Sequence, residues 1–220
     1  MRSDIMQKGI FITFEGNDGS GKTTISTKVY ETLKNKGYPV LYTREPGGIE
    51  IAEQIRSIIL DPNNTEMDAR TEALLYAASR RQHLIEKVLP ALKQGKIVLC
   101  DRFIDSSLAY QGVGRDIGMK EVFDMNAFAI EGHMPDVTIF LSVSLKTGMK
   151  RVAQRGNLDR MDQESMEFHK RVAEGYESVK LKYADRMVMI DAEQEMEKVY
   201  EATLRQVEEI IKRYDKRTVS

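Results

Sequence analysis

Cysteine is almost missing from this chain of 220 residues: Cys100 is the only one, so no intramolecular disulfide can staple the fold. It lies in the apolar run Ile97-Val98-Leu99-Cys100, which reads as a buried structural thiol in a reducing compartment. Charge of one sign is also lacking, because 33 Lys+Arg stand against 34 Asp+Glu for a formal net charge of -1. No global basic field exists, which excludes holding nucleic acid by bulk charge. Long apolar runs are absent. Ile10 to Phe14 is interrupted by Thr13 and stops at Glu15, too short for a signal-peptide core. Nowhere do about 18 apolar residues run together, so no membrane span is expected and the chain reads as cytoplasmic. Prolines number five, and no Gly/Ser-rich linker, repeat or low-complexity tract divides the sequence. The expectation is one domain over residues 1–220, with insertions between strands.

What is present is ordinary globular material, 41% hydrophobic and 30% charged, far from the composition of a disordered scaffold. Five β-rich runs stand out: Ile10 to Phe14, Pro39 to Thr43, Ile97 to Cys100, Val137 to Val143 and Met187 to Ile190. Helical patterns fill the intervals at Lys22 to Lys36, Glu50 to Leu60, Asp68 to Lys93, Met119 to Glu131, Leu145 to Arg155, Gln163 to Tyr183 and Glu195 to Tyr214. Pro90 must end or kink the third of these. Strands that are apolar throughout need helices on both faces, so the class is α/β with a parallel sheet.

The strongest local signal is Gly16-Asn17-Asp18-Gly19-Ser20-Gly21-Lys22-Thr23, followed by Thr24. It matches G-x-x-x-x-G-K-[ST] directly after strand one and opens helix one, which is the context this phosphate-binding loop requires. Chance supplies such a match in only ~1 of 100 sequences of this length. The glycines let backbone N–H groups converge on phosphate oxygens, and the helix N-terminus adds unsatisfied donors. Lys22 reaches the β/γ-phosphates, while the Thr23 hydroxyl is an oxygen ligand for Mg²⁺. This implies a nucleoside triphosphate without saying what it is used for.

Strand three ends in Asp101-Arg102, at the carboxyl edge where open α/β folds bind ligands. The acid can orient Mg²⁺, and the guanidinium fork suits a second phosphate. Arg44-Glu45-Pro46-Gly47-Gly48 after strand two is either a second such cluster or a charged surface turn. Tyr76 and Arg80, four apart on one helix face, either sandwich and address a flat heterocycle or belong to the core. Arg151, Arg155 and Arg160 punctuate a segment that loses helical character at Gly156-Asn157. Residues 151–162 are therefore either a solvated connector or a closing basic lid.

Taken in order, these segments resemble the bacterial thymidylate kinase family along nearly the whole chain. The resemblance rests on Phe11-Ile12-Thr13-Phe14-Glu15-Gly16, Arg44 to Gly48, Ala78-Ser79-Arg80-Arg81, Asp101-Arg102-Phe103, Ser106-Ser107-Leu108-Ala109-Tyr110-Gln111-Gly112 and Pro135-Asp136. It implies a P-loop fold of the nucleoside-monophosphate kinase type, in three layers around a five-stranded parallel sheet, with a basic lid and usually as a homodimer. It implies transfer of the γ-phosphoryl of ATP, with Mg²⁺, to thymidine 5'-monophosphate (dTMP). On that pattern Asp18 meets the sugar hydroxyl, and Arg56 and Arg102 hold the acceptor phosphate. Tyr76 stacks on thymine, Arg80 and Gln111 address its edge, and Ser107 supports that pocket. Tyr110 occupies the space a ribose 2'-hydroxyl needs, and Glu45 and Asp101 organise metal and phosphates. Two departures stand out. Tyr76 replaces the family's usual Phe and brings a hydroxyl that needs a partner. Ile49 follows the glycine pair where Thr or Ser is common.

Phosphoryl transfer asks chiefly for alignment and neutralisation of spreading negative charge. The phosphate loop holds no base at 17–20, so the arginine for that charge is expected in the lid. Arg155 is assigned to the transferring group and Arg160 to the triphosphate, with the roles interchangeable. Kinases of other nucleosides or nucleotides, and nucleotide-driven switch ATPases, share the loop and remain alternatives at this stage.

Overall fold

A computed structural model describes residues 9–154, 156 and 158–218. The strands are β1 (Ile10–Glu15), β2 (Val40–Arg44), β3 (Ile97–Asp101), β4 (Val137–Ser142) and β5 (Met187–Asp191). All pair in parallel, in the order β2-β3-β1-β4-β5. β1 is therefore central, and the chain turns to opposite sides of it, through β2 and β3 and then β4 and β5. That reversal opens a crevice at the carboxyl ends of β1 and β3.

The helices are α1 (Lys22–Asn35), α2 (Glu50–Leu60), α3 (Ala69–His83), α4 (Leu89–Lys93), α5 (Ile104–Ser107), α6 (Met119–Ile130), α7 (Leu145–Ala153), α8 (Met166–Lys182) and α9 (Met196–Thr218). Alternate residues of β1 face opposite layers. Ile10, Ile12 and Phe14 join Ile25, Val29 and Leu33 of α1 and Val199, Val207 and Ile211 of α9. On the other side Phe11 packs with Val98, Cys100, Leu84, Leu108 and Val122. Cys100 is fully buried, as expected. Three layers result, with a further apolar cluster where Tyr110, Phe140, Phe168, Val172 and Tyr176 meet.

Pro90 does not end the helical run, which continues to Lys93. A π-helical turn, Leu84–Val88, precedes it, with the Leu89 N–H bonded to Leu84 O, and proline enters at the start of α4. One widened turn shifts the register where proline has no N–H to give. A second π-helical segment, Leu108–Gly114, continues α5; it carries Tyr110 and Gln111, and sequence periodicity did not reveal it. Among the described residues no helix is long and apolar enough to cross a membrane.

Candidate active site

The loop after β1 wraps into α1. Gly21 takes a left-handed conformation as the helix N-cap, and no side chain caps the first turn, so its N–H groups remain free for an anion. Gly19 is required by close approach: a Cβ there would lie 2.1 Å from Gly148 O, and one on Gly148 would lie 2.4 Å from Asp18 O. The phosphate loop thus rests backbone to backbone on α7, a contact with no sequence signal. Arg151 of α7 reinforces it by donating to Gly19 O and Ala192 O, each at 3.2 Å.

Gly19, Gly21, Lys22, Thr23 and Thr24 line the pocket, while Gly16, Asn17 and Ser20 complete the loop behind them. Asn17 Oδ1 is buried with no hydrogen-bond partner among the described residues. Lys22 Nζ donates to Gly16 O at 2.7 Å and Asn17 O at 2.9 Å. Burial, with the Arg102 charge, lowers the Lys22 ammonium to about 8, and carboxylates including Asp18 and Asp101 only partly offset this. Thr23 Oγ1 donates to Asp101 Oδ2 at 2.5 Å. A hydroxyl and a carboxylate side by side on the pocket wall are the hard oxygen donors that suit Mg²⁺.

Across the pocket stand Arg56, Tyr76, Arg80, Arg102, Ser107, Tyr110 and Gln111. Arg102 has φ 68, in the left-handed region, which turns its side chain back over the end of β3. Its guanidinium donates to Asp18, to Ser106 Oγ at 3.0 Å and to the Tyr176 hydroxyl at 3.1 Å. Asp18 also accepts from the Tyr110 hydroxyl at 2.6 Å. Burial by itself would raise the Asp18 carboxyl, but Arg102 and Lys22 outweigh it and hold the group at about 2. Arg56 Nη1 is anchored on Pro46 O at 2.9 Å.

Beneath Arg102 lies Glu15, which sequence reading passed over. Its oxygens accept from Phe103 N at 2.8 Å, Ser106 N at 3.3 Å, Ser106 Oγ at 2.6 Å and the Tyr176 hydroxyl at 3.0 Å. The carboxylate at the end of β1 therefore fixes the turn that presents Arg102. Burial and the Asp105 charge push it up to about 7, against the pull of Arg102.

Arg80 is 2% exposed and is held from three sides. Nε donates to Glu45 Oε2 at 2.7 Å, and Nη1 to Ser107 Oγ at 3.0 Å and to Asn126 Oδ1. That leaves Nη2 for the pocket. Glu45 lines the same pocket as Thr23 and Asp101, and its other oxygen is engaged by His83 Nδ1 at 2.9 Å. With both oxygens engaged, it serves as the seat of Arg80. His83 and Asn126 were not foreseen.

Arg160, expected at the triphosphate, does not line the pocket in this structure. Its guanidinium is buried away from the phosphate loop, donating to Glu72 Oε2 at 2.6 Å and Ile59 O at 2.7 Å. Its backbone N–H bonds Leu60 O at 3.1 Å. The lid turn is thereby pinned to the end of α2, and that basic side chain neutralises an acid of α3. Arg155 lies outside the described residues. Tyr76 lines the pocket, and no protein hydrogen bond to its hydroxyl occurs among the described residues.

A central parallel strand, a phosphate loop opening a helix, and a second set of guanidinium groups facing it across one crevice define a P-loop phosphotransferase. The Thymidylate kinase family description matches residues 14–203. The chain is 53% identical over 199 residues to "Thymidylate kinase" of Geobacillus sp. (strain WCH70), covering 90% of this chain and 95% of that protein. Against "Thymidylate kinase" of Bacillus velezensis (strain DSM 23117 / BGSC 10A6 / LMG 26770 / FZB42) it is 54% identical over 207 residues, covering 93% and 98%. A crystal structure of thymidylate kinase from Ehrlichia chaffeensis superposes with a TM-score of 0.75 at 33% identity, covering 91% of this chain and 99% of that one. The chain belongs to the thymidylate kinase family.

Proposed function

We propose that the chain transfers the γ-phosphoryl of ATP to the 5'-phosphate of dTMP, giving the diphosphate. One observation carries this reading: a single pocket lined on one side by the phosphate loop and on the other by Arg56, Arg80 and Arg102. Two anions seated there face each other. Backbone N–H groups of 16–21 and Lys22 hold the donor phosphates, and Lys22 leaves its loop carbonyls to do so. Arg56 and Arg102 grip the acceptor phosphate bidentately, while Asp18 orients the sugar. Tyr76 stacks on the base, and Arg80 Nη2 donates to a thymine carbonyl where cytosine carries an amino donor. Thr23 and Asp101 would hold Mg²⁺, which would supply charge neutralisation for the donor phosphates.

Arg155 is the side chain for the transferring phosphoryl, and Arg160 anchors the lid, residues 151–162 of the single domain. Arg155→Ala should lower kcat more than tenfold, about 1.4 kcal/mol; a smaller loss removes that role. Ile51, Ile58, Leu74 and Phe128 are exposed apolar side chains of α2, α3 and α6. Neighbouring helices with such a face suit a second copy of this chain, so the working form is a homodimer in the cytoplasm. Phe128→Glu should shift it to monomer in sedimentation. An ADP-release assay across a panel of nucleoside monophosphates tests the reaction itself. dTMP should stimulate ATP consumption far beyond the others, and absence of stimulation by any acceptor overturns the reading.

A further inference from the structure

We infer that Glu72 is a positioning residue for base selection, setting which atom of the Gln111 amide faces the acceptor base. The inference rests on the thymine-site reading above. Glu72 is fully buried and does not line the pocket, so no substrate touches it. Its Oε1 lies 2.9 Å from Gln111 Nε2. A carboxylate only accepts, so the amide must turn its NH₂ inward. The amide oxygen is then left for the pocket that Gln111 lines, and among the described residues no protein donor reaches it. An acceptor at that place demands an N–H on the base edge. Thymine has one at N3, and cytosine has a bare nitrogen there.

Charge enforces the arrangement. Glu72 Oε2 accepts from Arg115 Nη2 at 2.8 Å and from Arg160 Nη2 at 2.6 Å, and Arg115 Nε is shared between Oε1 and Oε2 at 3.2 Å each. Arg115 is itself steadied by Glu164 at 2.5 Å and lies 4.5 Å over the Phe168 ring. In Glu72→Gln the two Nη2 groups would claim the remaining oxygen, leaving the new NH₂ facing Gln111 and Arg115 Nε, a donor that Arg115→Met removes. Gln111 would then have to accept with its own oxygen and present its NH₂ to the base. One buried substitution, out of contact with substrate, inverts the hydrogen-bond sense of the reader.

The test compares kcat/KM for dTMP and 5-methyl-deoxycytidine monophosphate, which differ only at N3 and the 4-substituent. In Glu72→Gln the preference for dTMP should fall at least tenfold, mainly through KM. The charge-balanced Glu72→Gln/Arg115→Met variant should show the same fall, and it carries the test should the single variant fail to fold. Arg115→Met alone, which removes an ion pair of Glu72 but not its bond to Gln111, should keep the preference within threefold while lowering Tm. A folded Glu72→Gln or double variant with wild-type preference overturns the role of Glu72, provided Gln111→Leu loses that preference. If Gln111→Leu also keeps it, the reading of the base site falls instead.

Discussion

Tyr110 donates its hydroxyl proton to Asp18 Oδ2 at 2.6 Å, joining the π-helical segment to the phosphate loop at the floor of the pocket. Arg102 binds the same carboxylate and lies 5.1 Å over the Tyr110 ring. Three groups from three segments thus hold one another before any ligand arrives. The donor and acceptor halves of the site share this junction, and two of the consequences below follow from it.

If the bulk of Tyr110 excludes a ribose 2'-hydroxyl, its ring and its hydroxyl are separable. Tyr110→Phe should keep the preference for dTMP over 5-methyluridine monophosphate within about threefold, because the ring stays and Arg102 still holds Asp18. Tyr110→Ala should cut that preference at least tenfold, about 1.4 kcal/mol. Equal relaxation in both variants would assign sugar choice to the hydroxyl.

Lys22 supplies a pH dependence of donor binding. Burial and Arg102 hold it at about 8 in the free protein, and a bound triphosphate raises it again. Below pH 8 the ammonium is already charged and ATP affinity is flat. Above it, binding takes up a proton and Kd rises, by up to about tenfold per pH unit. Calorimetry from pH 7 to 9.5 in buffers of different ionisation enthalpy reads both effects, and Lys22→Met should abolish them. An ATP affinity constant over that range rejects this account.

The strands were legible to within two residues because continuous apolar, β-branched runs between helical patterns leave little choice of layer. The phosphate loop was legible because its glycines and lysine act within a few residues of one another. Long-range polar partners were not. His83 reaches Glu45 over 38 positions and Asn126 reaches Arg80 over 46, and no periodicity links them. One signal was readable but unused: Glu72, Tyr76 and Arg80 recur every four residues, so the face recognised from two members extended to a third. Glu15 was another, a carboxylate closing an apolar strand. The segment 104–114 escaped because a four-residue helix running into a π-helical turn has no 3.6-residue rhythm.

Glu45 separates two functions that its sequence context left merged. Its oxygens are engaged by Arg80 Nε at 2.7 Å and His83 Nδ1 at 2.9 Å. Loss of one charge-assisted bond costs about 1.5–3 kcal/mol. Glu45→Gln should therefore raise the dTMP KM on the order of tenfold or more, while the Mg²⁺ concentration for half-maximal rate moves less than about twofold. A large Mg²⁺ shift at unchanged KM would return Glu45 to the metal.

Asp18 ties stability to acid. Its carboxyl sits at about 2 in the folded chain against an ordinary 3.8, a lowering of nearly two units worth about 2 kcal/mol. A depressed acid stabilises where it is ionised, so the contribution is complete well above pH 3.8 and is lost as the pH falls toward 2. Urea unfolding of wild type and Asp18→Asn at pH 6 should differ by about this amount, since the lowered pKa already contains the pairing with Arg102. By pH 3 the gap should narrow by about 1 kcal/mol, since much of the unfolded-state Asp18 is then protonated while the folded one is still charged. A gap that stays constant from pH 6 to 3 would mean that Arg102 does not depress this acid, and that the carboxylate is not the anion that holds Arg102 in place.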